Sequence, residues 1–408
     1  MNYIIKRVFV ILVILLLLVA FSGSYKALSI EKLAYVVAIG IDTAKDSEGF
    51  LFSFQFTNVT PNSESGTAEK SPSIVNTVEA PSIASAINLM NTYIGKRLNL
   101  SHCKVIVFSE DVAFNGISKH IYTLMNDTQI RPSANIVVSK CNAKYYIENS
   151  KPILENLITK YYDIFDYSSN FTAYTADASI GDFLNKLECD TCSPVAILGG
   201  MNTQNVNYTT DVIENQASSA KSNESTISGK RGSENIGVAI FKDDKMVGEL
   251  NAFECLAFLN MTNQAKGFFI TIKDPEREND YLDIYFSPTK PTQIKVSIVN
   301  GSPYIKVKCS YSGRIYSVDS NRQYLDENKL QAISNVCSSY LESSFSDYLY
   351  KTSKEFKSDI NEFGKYALSN FLTTNDFNDY NWNENYKNSF FDIDVDSMVE
   401  SSILLTET

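Results

Sequence analysis

The sequence predicts an α+β, multi-domain fold, with three mixed α/β domains if the second half is divided, after an N-terminal hydrophobic signal or anchor helix. Three observations predict this fold. An apolar run occupies residues 8–21, directly after Lys6 and Arg7. Segments with strand periodicity alternate with segments of helical periodicity along the rest of the chain. The chain has 408 residues, and the part after residue 25 is long enough for two or three domains.

Residues 1–25 resemble a secretory signal, with a positive start, an apolar run and the small residues 22–24. The run is shorter than the roughly 20 residues that span a bilayer. We expect an uncleaved anchor, with the N-terminus in the cytoplasm and the body outside, because Lys6 and Arg7 precede the run. The alternative is cleavage after the small-x-small sequence of residues 20–22, which would release a chain beginning at Gly23.

The rest of the chain contains no second apolar run of that length, so we expect a soluble body. The formal net charge is -11, and the charges are spread along the chain. Nucleic-acid binding requires a basic face, so this charge argues against a nucleic-acid partner. It also argues against a body that lies flat on anionic lipid.

The first predicted domain comprises residues 26–202. The alternation of Phe50, Phe52, Phe54 and Phe56 with polar or smaller residues predicts a strand with one aromatic face. Other predicted strands are 33–41, 104–108 and 134–139, and helices are predicted from Pro81, near Phe114 and over 151–163. Residues 59–76 are rich in Ser, Asn, Pro and Gly, which is typical of an exposed loop.

Residues 203–235 are rich in Asn, Ser, Thr and Gln, so we expect a flexible linker or loop. The second predicted region is 236–400, with a tail at 401–408; an alternative division gives a small middle domain, 236–275, followed by 276–400. A hairpin is predicted around Asp243-Asp244, and a tight turn at Asn300-Gly301. Predicted helices are 250–260 and a long amphipathic region from 330 towards 371, and predicted strands are 268–272, 281–287, 293–299, 304–310 and 390–395.

The seven cysteines have irregular spacing, so they do not form a recognisable disulfide framework. Cys189 and Cys192 are the one close pair. A redox motif should open a helix after a strand, whereas this pair precedes Ser193-Pro194 in a predicted loop. We expect an incidental structural pair or a local disulfide, and no zinc site, because a second cysteine pair is absent from the sequence.

Catalytic, cofactor and metal sites are not indicated by the sequence. The two histidines, His102 and His120, lie 18 residues apart without a convergent partner, so structural roles with satisfied hydrogen bonds are expected. The chain lacks a G-x-S-x-G elbow and a Gly-rich phosphate loop. Asp392, Asp394 and Asp396 alternate along a predicted strand, which favours a solvated edge over a calcium site.

Several segments, in chain order, resemble the Ger(x)C family, the C subunits of bacterial spore germinant receptors such as GerAC-like proteins. Residues 30–42 resemble the family's opening strand, and residues 237–250 resemble its Gly-rich hairpin. Further similar segments are 95–110, 126–131, 382–386 and 390–395. We expect Gly40, Gly237 and Gly248 to lie where packing is close or φ is positive.

The resemblance implies three α+β domains and a non-enzymatic subunit on the outer face of the inner spore membrane. It implies a multi-spanning A subunit and a transporter-like B subunit as partners, in a complex that senses germinants. Family members carry a lipid-modified cysteine before the first domain. Ser24 stands at that position here, and a hydroxyl cannot form the thioether, so lipidation is not expected.

Two other functions remain open at this stage. A stand-alone extracytoplasmic small-molecule binding protein usually has two similar α/β lobes, which this sequence does not show. A secreted hydrolase of the cell envelope would need a nucleophile and base or a metal set, which the sequence does not reveal.

Overall fold

The protein contains two β-sheets, the first built from strands within residues 33–250 and the second from strands within residues 268–400. The computed structural model describes residues 2–21, 29–45, 49–57, 73–151, 154–155, 157–202, 220–225, 227, 232–318 and 326–400. The mixed α+β character predicted from the sequence is confirmed. Ser24 lies outside the described residues.

The first sheet has parallel strands in its centre and antiparallel strands at both sides. Its strands are β1 (Leu33–Thr43), β2 (Phe50–Phe56), β3 (Ile74–Ala80), β4 (Arg97–Asn99), β5 (Val105–Ser109), β6 (Asn135–Ser139), β7 (Val195–Met201), β8 (Ser233–Lys242) and β9 (Lys245–Leu250). The order is β3-β2-β1-β5-β6-β7-β8-β9, and β4 pairs with the start of β1. The parallel strands are β1, β5, β6 and β7.

Helices cover both faces of this sheet, which explains why β5 and β6 are buried along their whole lengths. The helices of this half are α1 (Asn2–Phe21), α2 (Ile83–Ile94), α3 (Glu110–Asn115), α4 (Ser118–Met125), α5 (Ala143–Asn149), α6 (Ile158–Thr172) and α7 (Ile180–Leu187). Residues of α2, α3, α4 and α7 pack in one core, and residues of α5 and α6 pack in another on the opposite face. Among the described residues, no helix combines the length and apolarity needed to span a bilayer.

The predicted aromatic strand is β2. Phe52 and Phe54 are fully buried in the core that contains α2. The opposite face of β2 is buried as well, and there Gln55 accepts a hydrogen bond from the Tyr162 hydroxyl at 2.7 Å. The polar half of the alternation therefore lies under α6 rather than in solvent, with its hydrogen bonds satisfied.

The second sheet packs its inner face against a set of helices. Its strands are β10 (Phe268–Asp274), β11 (Arg277–Pro288), β12 (Gln293–Val299), β13 (Ser302–Val318) and β14 (Phe390–Glu400); the helices are α8 (Ala252–Met261), α9 (Glu327–Tyr350), α10 (Gly364–Ala367), α11 (Thr374–Tyr380) and α12 (Trp382–Asn385). Strands β11 and β12 pair with successive parts of β13, and β14 pairs with β13 in parallel. The predicted turn at Asn300-Gly301 has positive φ at both residues (50° and 81°), as a tight hairpin turn requires.

The edge strand β14 is covered by α9 rather than by another strand. The backbone N–H groups of Val395, Ser397 and Val399 donate to side chains of α9 at 3.0, 3.2 and 2.9 Å. The acceptors lie four residues apart along α9: Glu342, Ser338 and Ser334. One stripe of this helix therefore satisfies the donors of the edge and blocks pairing with a further strand.

The structure differs from the sequence prediction at several elements. The long predicted helix towards residue 371 ends as an α-helix at Tyr350, continues as a π-helix over Lys351–Phe356, and stops at Lys357, whose φ is 52°. Helix α6 begins at Ile158, which is also the first residue of its buried stripe, and not at residue 151. Strands β3, β4 and β7 were not predicted, and β3 begins inside the predicted loop 59–76.

The predicted linker is packed against the first sheet where the structure describes it. Ser222 is fully buried, donates to the Leu198 carbonyl at 2.8 Å and accepts from the Ile236 N–H at 2.8 Å. Strand β8 begins at Ser233, and the β8–β9 hairpin extends the first sheet through β7. The hairpin at the start of the predicted middle domain is thus part of the first sheet, and the division into domains remains a prediction.

Candidate functional site

The two halves meet at a junction built around the π-helix Lys351–Phe356. π-Helices are rare and occur often at functional positions. The Phe356 ring lies directly on β9, because a Cβ at Gly248 would come within 2.1 Å of Cε1 of Phe356. Lys351 donates to Glu254 at 2.7 Å and to the carbonyl of Glu249 at 3.5 Å. The π-helix therefore holds the hairpin of the first sheet and the start of α8 together.

Glu249 is the centre of an ion-pair network on the first-sheet side of this junction. Its Oε1 accepts from Lys140 at 3.0 Å and from Lys221 at 2.9 Å. Burial raises the pKa of Glu249, but the hydrogen bonds from Lys221 and Lys140 outweigh it and hold the pKa below the usual value. The pKa of Lys221 is raised; burial opposes the rise, and the bond to Glu249 drives it. The network links the end of β6, the segment at 220–225 and β9.

A groove of about 570 Å³ opens between the start of α8 and the end of α9. The lining includes the rings of Phe253, Tyr340 and Tyr350, together with two lysines and three carboxylates; these charged residues are Lys351, Lys354, Glu254, Asp347 and Glu355. Both lysines are already paired within the protein, Lys351 with Glu254 and Lys354 with the Lys387 carbonyl at 2.6 Å. Asp347 and Glu355 are exposed at its edge. The described lining contains neither histidine nor cysteine.

A second contact region of the junction is organised by Asp359, which is 2% exposed. Its carboxylate accepts from the backbone N–H of Phe363 at 3.1 Å, from that of Gly364 at 2.8 Å and from Trp382 Nε1 at 2.8 Å. Burial raises the pKa of Asp359 to about 6 despite these three donors. The carboxylate thus ties α10 and α12 to the turn that follows the π-helix.

The turn after the π-helix and α12 both contact the first half of the chain. A Cβ at Gly364 would lie 2.7 Å from Cβ of Thr191 and 2.9 Å from the Trp382 ring. Asn383 donates to the Asp190 carbonyl at 2.9 Å, and the buried Lys186 lies 3.4 Å from Glu362. The contact is therefore made by the end of α7 and by the loop between α7 and β7.

The structure shows that Cys189 and Cys192 form a disulfide within this loop. Their Cα atoms are 5.3 Å apart, and the pair follows α7 rather than opening a helix. The local disulfide that the sequence left open is therefore present. The pair lies next to Thr191, which contacts the Gly364 turn.

The two histidines lie apart, and each packs against aromatic rings. His120 lies on α4, 4.7 Å from the Phe50 ring centroid, and its Nε2 has no hydrogen-bond partner among the described residues. Burial and the neighbouring Lys119 charge lower the pKa of His120 to about 4, so the ring is neutral at pH 7. The expectation of satisfied hydrogen bonds is thus wrong for His120 Nε2, and the His120 ring packs among the rings of Phe50, Phe52 and Phe108. His102 lies 4.8 Å from the Tyr35 ring.

The aspartates of β14 lie beside lysines of β13. Lys306 lies 2.9 Å from Asp392, and Lys308 lies 2.7 Å from Asp394, on the exposed face of the sheet. Asp396 is exposed on the same strand. Among the described residues, no group of three or more His, Cys, Asp or Glu side chains could hold a metal ion.

The three glycines singled out in the sequence have steric reasons to be glycine. Gly237 has a φ of 95° and lies where a Cβ would be 2.2 Å from the Leu250 carbonyl oxygen. A Cβ at Gly40 would be 2.8 Å from Ile147. The Phe356 ring packs directly on Gly248. The expected close contact at this glycine is therefore confirmed, and it is part of the junction. The sequence analysis did not predict a role for Glu249, Lys351 or Asp359. Of the junction residues, Gly248 was the one that the sequence singled out, as a position of close packing.

Comparison with known proteins places both halves in one family. Residues 26–198 match the family model of the spore germination protein N-terminal domain, and residues 236–402 match that of the spore germination B3/GerAC-like C-terminal region. Spore germination protein KC of Bacillus subtilis (strain 168) is 25% identical over 367 residues, which cover 88% of this chain and 87% of that protein. The putative spore germination protein YfkR of the same strain is 22% identical over 267 residues, 64% of this chain and 62% of that protein.

The fold is also similar to a solved structure. The crystal structure of the GerBC protein superimposes with a TM-score of 0.53 at 18% sequence identity. The match covers 88% of this chain and 96% of that chain, so it extends over both halves. Together with the two family models, which match in the expected order, this similarity supports the resemblance found in the sequence. The chain belongs to the Ger(x)C family of spore germination proteins.

Proposed function

We propose that the chain is a non-enzymatic, membrane-associated C subunit of a spore germinant receptor. The observation that carries the proposal is the match of both halves, residues 26–198 and 236–402, to the two spore germination family models. Its partners in the proposal are a multi-spanning A subunit and a transporter-like B subunit. In the proposal, the subunit acts through protein contacts.

The proposed location is the outer face of the inner spore membrane, with the N-terminus on the cytoplasmic side. Two observations support it. Lys6 and Arg7 precede the apolar residues of α1, and the side chains of Val8 to Leu16 are exposed, so they are free to contact lipid or a partner. Ser24 cannot carry a lipid thioether, so the proposal relies on α1 and on partner subunits for attachment. Mass measurement of the mature protein tests this, and a chain that begins at Gly23 would contradict the anchor.

The junction suggests how such a subunit could transmit a signal. The polar contacts that cross between the halves include those from Lys351 to the Glu249 carbonyl at 3.5 Å, from Ser358 to the Phe241 carbonyl at 2.7 Å and from Asn383 to the Asp190 carbonyl at 2.9 Å, and such contacts are sensitive to small displacements. A displacement imposed on one half by a partner would therefore be transferred to the other half. The groove at the end of α9 is lined by residues of the π-helix, so its shape would change when the two halves move relative to each other.

A deletion strain tests the proposal. We expect spores of the strain to form normally and to lose the response to at least one nutrient germinant, with restoration by the full chain in trans. A normal response to every germinant class would contradict the receptor role.

The alternative function is a stand-alone extracytoplasmic small-molecule binding protein. The groove of about 570 Å³ favours it, because this volume is in the range of ligand pockets. A thermal-shift screen of the purified full chain with amino acids, sugars and bile salts distinguishes the two functions. A concentration-dependent rise in Tm without partner subunits would favour the alternative.

A further inference from the structure

The Cys189–Cys192 disulfide lies at a contact that holds the two halves together. The four-residue loop that it closes presents the Asp190 carbonyl to Asn383 at 2.9 Å. It also places Thr191 against Gly364, at a distance that leaves no room for a Cβ on the glycine. The shape of this loop therefore determines whether the second half finds its contact surface.

We propose that Cys189 and Cys192 form a thiol–disulfide exchange site whose redox state sets how tightly the Asp359 turn and Trp382 are held against the first half. In the disulfide form, the cross-link restricts the loop to the conformation that fits Gly364 and Asn383. In the dithiol form, the loop gains conformations, and the contact with the second half is loosened. The inference does not depend on the proposed function.

The two cysteines differ in exposure, which favours attack at Cys189. Cys189 is partly exposed, whereas Cys192 is 8% exposed. A thiolate of an external dithiol attacks the Cys189 sulfur, a mixed disulfide forms, and Cys192 leaves as a thiolate that takes up a proton. The second thiol of the reductant then attacks the mixed disulfide and releases Cys189. The dithiol supplies both electrons and becomes a cyclic disulfide, so the reaction balances.

The remaining cysteines are poorly suited to compete for this exchange. Cys103, Cys255, Cys309 and Cys337 are buried, and burial raises the pKa of each, to about 12 for Cys103 and Cys337. Burial also raises the pKa of the partly exposed Cys141. Thiolates are therefore scarce at these positions near pH 7, so these thiols attack the Cys189–Cys192 bond slowly, and among the described residues that bond is the disulfide that a dithiol can reduce.

The consequence of opening the loop can be followed at Asp359. The N–H groups of Phe363 and Gly364 donate to this carboxylate, and Trp382 Nε1 donates to it as well. All three lose support when the Thr191 surface moves. Trp382 is the chain's single tryptophan and is 2% exposed, so its fluorescence reports on the surroundings of Asp359.

The experiment compares the purified full chain before and after treatment with dithiothreitol at pH 7. Titration of thiols under denaturing conditions shows when the disulfide is open. Circular dichroism follows the overall fold, hydrogen exchange with mass spectrometry follows residues 359–364, and acrylamide quenching follows Trp382. The variant with Cys189→Ser and Cys192→Ser removes the cross-link without reductant, and Cys141→Ser is the matched control that keeps it.

We expect reduction to raise exchange at 359–364 and quenching of Trp382, with unchanged circular dichroism and unchanged exchange in β5 and β6. Reoxidation should reverse both effects. The double variant should show the reduced behaviour from the start and ignore the reductant, and Cys141→Ser should respond as the wild type does. Full reduction without a change at 359–364 or Trp382, unfolding of the whole chain, or a double variant that still responds would each overturn the proposal.

Discussion

Asp359→Ala removes the acceptor on which the second contact region of the junction depends. Three donors, the N–H groups of Phe363 and Gly364 and the Trp382 Nε1–H, would lose their buried partner. A buried donor without a partner costs about 1–3 kcal/mol. Some relaxation is expected, so we predict a loss of about 3–5 kcal/mol in the free energy of unfolding at pH 7.

The substitution Asp359→Asn separates the effect of the carboxylate charge on stability from the effect of its hydrogen bonds, because the amide oxygen still accepts. The folded-state pKa of Asp359, about 6, lies above the ordinary value of 3.8. Protonation of the Asp359 carboxyl therefore stabilises the folded state. This stabilisation is fully present below about pH 3.8 and is lost as the pH rises through about 6. The difference corresponds to about 3 kcal/mol at pH 7. The amide of Asn does not titrate. The free energy of unfolding of Asp359→Asn, relative to that of the wild type, should therefore be higher at pH 7 than at pH 4. At both pH values the variant loses one hydrogen bond, because its NH₂ group faces a donor.

Urea unfolding of the full chain, followed by circular dichroism at pH 4 and pH 7, measures both effects. Asp396→Asn is the control, because this carboxylate is exposed on β14, and we expect its effect to stay within about 0.5 kcal/mol. A loss below about 1 kcal/mol for Asp359→Ala at pH 7 would refute the assignment of Asp359 as an organising acceptor. An equal difference between Asp359→Asn and the wild type at both pH values would refute the raised pKa.

Three further predictions concern the junction and the covered edge. Gly248→Val should lower the free energy of unfolding by about 2 kcal/mol or more, because the side chain would collide with Phe356; thermal unfolding measures it. Glu249→Gln should destabilise the chain at pH 7, and the difference from the wild type should shrink as the pH falls below 4.5, because the wild-type stabilisation needs the ionised carboxylate; urea unfolding at several pH values measures it. Ser338→Val should leave the Ser397 N–H without its acceptor and raise hydrogen exchange in β14.

Each of these predictions has a control variant or an outcome that would contradict it. Gly232→Ala is the control for Gly248→Val, since its Cβ would meet Asn149 and Met201 side chains at 3.1 Å or more, and equal losses for both variants would contradict the junction argument. For Glu249→Gln, a difference that grows at low pH would show that the carboxylate is not held ionised by its two lysines. For Ser338→Val, the exposed Ser339→Val is the control, and unchanged exchange in β14 would contradict the edge contact.

Local patterns predicted many of the elements. The Phe alternation at 50–56, the turn at Asn300-Gly301 and the hairpin at Asp243-Asp244 depend on residues close in sequence, and all three are present. The family resemblance also directed attention to Gly248, whose contact with Phe356 is part of the junction. Here a glycine in a strand indicated a close approach before its partner was known.

The remaining features depend on contacts that a local pattern does not contain. Asp359 is one of 47 acidic residues, and its three donors come from the following turn and from Trp382. The π-helix ends with Phe356 packed on β9, a contact that is absent from the helical periodicity, which continued past it. The parallel pairing of β14 with β13 joins segments about 86 residues apart, and the free edge of β14 is covered by side chains of α9 that lie far from it in the sequence.

Co-purification of a tagged full chain from spore membranes tests the central claim, that this member of the Ger(x)C family works as a receptor subunit. After mild detergent extraction, mass spectrometry of the captured material should identify a multi-spanning A-type and a transporter-like B-type subunit. The Asp359→Ala chain, captured in equal amount, should retain less of both. Capture of the wild-type chain without either partner would contradict the account.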